Sequence, residues 1–105
     1  MRYFTVVAMK RADLSEAVVA LCGNQTEAQA KGRRIAAGLK DRFIRCRVRE
    51  ADLTIAQVKQ ICVQWGRDDF LNGEPLDHNL PQPFGAAYER GYRAAKRLKR
   101  RGETP

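Results

Sequence analysis

Two short runs near the start of the chain, Tyr3 to Met9 ("YFTVVAM") and Glu16 to Cys22 ("EAVVALC"), constrain the fold more than any other feature. Both are rich in β-branched and other apolar residues, and the polar segment "KRADLS" separates them, which is the pattern of two strands joined as a hairpin. Their apolar character runs on both faces, with Phe4, Val6 and Ala8 opposite Tyr3, Val7 and Met9. A sheet covered on one side alternates apolar with polar residues. The second face therefore calls for a cover of its own, from the last helix of this chain, from a partner or from a second copy.

The segment "CGNQTEAQAKGRRIAAGLKD" then opens a helix, with Thr26 as N-cap and Gln29 three residues on. Ala28, Gly32, Ile35, Ala36 and Leu39 share one face of it, and three of the five are very small, which predicts close packing on a sheet. Phe43 to Glu50 reads as a third strand. A second helix begins at "LTIAQVKQICVQW", where Thr54 and Gln57 repeat the capping pattern and Val58, Ile61, Cys62 and Trp65 form a buried stripe. Gly66 reads as its stop, and "RDDFLNGEPLDHNLPQP" as a loop pinned by Phe70 and Leu71. The last helix spans 84–101, with Phe84, Ala87, Tyr88, Gly91, Ala95 and Leu98 inward. The order β-β-α-β-α-α, with a right-handed crossover through the first helix, sets the third strand beside the first at a sheet edge. The expected fold is a small two-layer α+β domain, a three-stranded sheet with helices packed on it.

At 105 residues the chain has the length of a single domain, 1–105. Its net charge of +8 attracts polyanions, so nucleic acid, an anionic membrane or an acidic protein surface would each be drawn to it. Cys22, Cys46 and Cys62 are odd in number and lack CxxC spacing, which predicts buried thiols in a reducing compartment rather than disulfides or a zinc site. The opening residues lack the apolar region of a secretory signal and no stretch reaches membrane-spanning length, so a cytoplasmic protein without membrane contact is expected.

Catalytic chemistry is not indicated. His78 stands alone in a Pro-rich loop, without a nucleophile or acid partner at triad spacing. Asp68, Asp69, Glu74 and Asp77 fit no EF-hand pattern and read as turn formers, and Gly23, Gly32 and Gly38 form no phosphate loop. No enzyme activity, cofactor or metal is expected.

The charge concentrates in two places. In "RFIRCRVRE" the alternation puts Arg45, Arg47 and Arg49 on one strand face, about 6.5 to 7 Å apart, with Ile44, Cys46 and Val48 turned to the core. Such a row suits a phosphate track, and arginine suits bidentate contacts; equally, it solubilises an edge and deters edge-to-edge pairing. The last helix carries Arg90, Arg93, Lys96, Arg97, Lys99, Arg100 and Arg101, a cluster suited to phosphate neutralisation. Tyr92, one position off the apolar stripe, is the candidate for base stacking.

Residues Ala87 to Arg97, "AYERGYRAAKR", resemble the opening helix of ribosome modulation factor in an aromatic-Gly-Tyr-x-Ala core, and the resemblance implies contact with a ribonucleoprotein. The hairpin followed by "QTEAQAKGRRIA" and a strand is similar in layout to some small phage-encoded anti-CRISPR proteins, which implies an inhibitor or adaptor acting by protein contact. The leading expectation is a non-enzymatic regulatory protein that binds nucleic acid or a nucleic-acid-containing complex by charge neutralisation and occlusion. A protein partner is the alternative, and a homodimer through the second sheet face the third reading.

Overall fold

A computed structural model describes residues 2–78, 80, 84–100 and 102. The elements follow in the order β1 (Arg2–Lys10), β2 (Glu16–Cys22), α1 (Gln25–Gly38), β3 (Phe43–Asp52), α2 (Ile55–Leu71) and α3 (Phe84–Arg100). This is the expected α+β order. The chain divides into two compact units, Met1–Thr54 and Ile55–Pro105.

The first unit is a three-stranded antiparallel sheet in the order β2-β1-β3, with α1 packed on one face. The turn from β1 to β2 closes through Lys10 N–H donating to the Ser15 carbonyl at 2.7 Å, while Asp13 Oδ1 accepts from the Ser15 N–H and hydroxyl. It forces Leu14 to φ +63°, an unfavourable left-handed conformation for a branched side chain. Val6, Ala8, Ala20 and Ala28 are almost completely buried between sheet and helix, and Phe43 closes the end of β3. On the other face, Val7 lies between Val18 and Arg47, and Thr5 between Leu21 and Arg49. Tyr3, Thr5 and Val7 are nevertheless buried.

The start of α1 differs from the expected one. Asn24, in extended conformation, is the N-cap, its Oδ1 accepting from the Glu27 N–H at 2.8 Å, and Thr26 lies inside the first turn. Asparagine with an acidic residue three positions on is the stronger of two overlapping capping signals. Gly32 faces the sheet, but a Cβ there would stand 3.6 Å from Val6 Cγ1 and 3.7 Å from Cys46 Cβ, ordinary contact distances. Close packing therefore does not require this glycine.

The second unit is α2 packed against α3. Gly66 does not end α2. A Cβ at Gly66 would lie 1.9 Å from the Tyr88 carbonyl oxygen, and one at Gly91 2.0 Å from that of Val63. The two helices cross here with their backbones touching, which only glycine permits. The stop is Gly73 at φ +76°, where Gly73 N–H donates to the Phe70 carbonyl and Glu74 N–H to that of Asp69, the paired bonds of a Schellman ending. Residues 67–71, expected in the loop, thus continue the helix.

Around the crossing, Trp65 and Tyr88 meet edge to face at 5.0 Å and 66°. The Tyr88 hydroxyl donates to Asp69 Oδ2 at 2.5 Å and accepts from the Asp77 N–H at 3.2 Å. Burial pushes the Asp69 carboxyl up to about 7, reinforced by Glu74, Asp77 and Asp68 and opposed by the Tyr88 bond. Burial, with Asp69 beside it, raises Tyr88 as well. Trp65 Nε1 is buried without a hydrogen-bond partner among the described residues.

Candidate functional site

The cations of α3 follow from its period. Gly85, Ala87, Tyr88, Gly91 and Ala95 are the buried side of the helix, and Arg90, Arg93, Arg97 and Arg100 recur at three- and four-residue steps on the opposite side. Arg90 and Arg97 are two turns apart, about 10.5 Å along the axis, and the row of four spans about 15 Å. All four are exposed, and exposed Lys96 lies beside them. Glu89 interrupts the row, accepting from Arg93 Nε at 2.8 Å and Nη2 at 2.7 Å. Arg90, Lys96, Arg97 and Arg100 make no ion pair with the described residues. Lys99 stands apart, its ammonium 5.8 Å from the centre of the Phe70 ring. Arg101 lies outside the described residues.

Tyr92, the expected stacking residue, is half-buried. Its hydroxyl donates to the Glu74 carbonyl at 2.8 Å and its ring meets Phe70 edge to face at 5.4 Å, so it ties the loop after α2 to α3. Its position beside the apolar stripe could not separate this bridging role from display to solvent.

On β3 the register with β1 sets Arg45, Arg47 and Arg49 opposite Met9, Val7 and Thr5, on one face as expected, and all three are exposed. They are not equivalent. Glu16, at the start of β2, lies level with Met9 and Arg45 yet reaches diagonally across β1 to Arg47, accepting from Nε at 2.7 Å and Nη2 at 2.8 Å. The Arg47 bond, with the charges of Arg47, Arg49 and Arg45 around it, holds the Glu16 carboxyl below its ordinary value of 4.5. Arg45 and Arg49 have no ion pair among the described residues. The strand thus offers two separate cations about 13 Å apart rather than a continuous track of three. On the other face, Cys46 and Val48 are half-buried, while Ile44, expected in the core, is 43% exposed.

Other chemistry is sparse. Burial raises all three thiols, Cys62 to about 11, so none favours the reactive thiolate. Among the described residues, no three His, Cys, Asp or Glu side chains are grouped to hold a metal, and no helix is long and apolar enough to cross a membrane. No family model, curated protein or solved structure matches the chain.

Proposed function

We propose that this is a non-enzymatic regulatory protein that binds nucleic acid, or a complex containing it, through the cation row of α3. The reading is carried by one observation: four exposed arginines share the side of a helix opposite its apolar stripe, with a lysine beside them and a single carboxylate among them. An exposed ammonium or guanidinium row of this length neutralises successive phosphates and releases their counterions, and occlusion of the bound strand follows from occupying its backbone. Cations in the last turn also complement the helix dipole, so the row stabilises α3 in isolation as well. Arg45 and Arg49, about 13 Å apart along β3, add positive potential on the first unit, with Arg47 between them paired to Glu16.

Fluorescence anisotropy with short duplex and single-stranded DNA and RNA tests the reading. Log affinity should fall linearly with log salt between about 50 and 300 mM, with a slope of several ions. No binding at the lowest salt would reject it.

A further inference from the structure

The outer edge of β3 has features that nucleic-acid binding does not use. Among the described residues, β3 pairs with β1 on one side only, and the backbone groups of residues 44–51 have no backbone partner beyond that ladder. Alongside it, between α1 and β3, runs an open groove of about 370 Å³ lined by Gln29, Gly32, Arg33, Ala36, Cys46 and Val48. Gly32, Ala36, Cys46 and Val48 are its small or apolar groups, and Gln29 and Arg33 are its polar ones. Gly32 helps to keep it open, at a helix position where a methyl would meet only ordinary contacts. The opposite face of the same strand carries Arg45 and Arg49, without ion pairs among the described residues, flanking an Arg47 already held by Glu16.

We infer that this edge takes an extended acidic segment of another protein as a fourth strand. Strand addition satisfies both the N–H and the C=O groups of an open edge, whereas a phosphate backbone can only accept. The charge pattern specifies the occupant. A residue opposite Arg49 and one four positions along, opposite Arg45, are acidic. The residue between them, opposite the engaged Arg47, is uncharged, and the two alternate residues, turned to the other face, are apolar and enter the groove. A second copy of this chain does not fit, because β3 against β3 would gather both arginine rows on one face. The arginines deter basic strands and self-pairing while admitting an acidic one.

The test uses the full chain and a blocked, fluorescently labelled peptide whose five-residue core runs glutamate, valine, threonine, valine, glutamate. Micromolar binding is expected, weakened at least tenfold in the R45E/R49E double variant and restored when lysines replace the peptide's glutamates. Backbone N-methylation of one alternating set of peptide residues should abolish binding and of the other set leave it. Gly32→Ala should raise the melting temperature while weakening the peptide several-fold. Arg90, Arg93, Arg97 and Arg100 changed to glutamine together should leave peptide affinity unchanged, which separates this site from the nucleic-acid reading. Absence of binding at 1 mM peptide, indifference to both N-methylation sets, or an oligonucleotide that binds through Arg45 and Arg49 where the peptide does not would overturn the inference.

Discussion

Single residues carry some of the most exposed consequences of the structure. Leu14 sits in the β1–β2 turn at φ +63°, where a branched side chain costs about 1–2 kcal/mol. Asparagine tolerates that conformation, so Leu14→Asn is expected to stabilise the chain by about 1 kcal/mol. Chemical denaturation would register this as a higher midpoint at constant slope. Asp69 gives a pH dependence. Its carboxyl is raised in the folded state to about 7 from an ordinary 3.8, so between those values the folded chain retains a proton that the unfolded chain has released. Stability attributable to Asp69 is highest below about pH 4, declines as pH rises through that window and is lowest above about 7. Urea unfolding at pH 5 and 8 should show the lower stability at pH 8, and Asp69→Asn, whose amide oxygen can still accept from Tyr88, should reduce the difference. A wild-type chain equally stable at both values would contradict the burial of this carboxyl. Neither effect was legible beforehand, since a backbone angle and the dryness of a carboxylate both depend on where the turn and the crossing place them.

At the scale of elements, two glycines in helices have opposite meanings. Gly66 and Gly91 allow α2 and α3 to touch, and Ala at either would strike a carbonyl that no rotamer change can move aside. Each change is expected to destabilise by about 3 kcal/mol, the upper end for overpacking, as measured by thermal or chemical unfolding. Gly32, by contrast, has room, and Gly32→Ala is expected to gain about 1 kcal/mol of helix propensity in the same measurement. In sequence these glycines look alike, which is why Gly66 read as a helix stop and Gly32 as a close contact. The actual stop, Gly73, was hidden in a Gly/Pro-rich stretch that suggested loop from its first residue. Strand positions were far easier to read. β-Branched and apolar richness fixed β1 and β2, and two-residue alternation fixed β3, to within about two residues, and the expected crossover through α1 set β3 beside β1. What periodicity could not supply was the diagonal pair of Glu16 and Arg47, whose partners lie 31 residues and two strands apart.

Over the whole molecule, charge is unevenly spread. The segment from Asp68 to Asp77 holds four carboxylates, and 90–101 holds seven Lys or Arg against none. A uniformly basic chain would bind polyanions without preference for a surface, whereas this distribution concentrates positive charge on α3, where the proposed binding would fall. The decisive measurement is the salt dependence of oligonucleotide affinity for the wild-type chain and for the R90Q/R93Q/R97Q/R100Q variant, its helix content checked by circular dichroism. The account requires a log–log slope of several ions for the wild type, reduced by about 3 to 4 in the variant with affinity lost accordingly. An unchanged slope in a folded variant would contradict it and remove α3 from the interface.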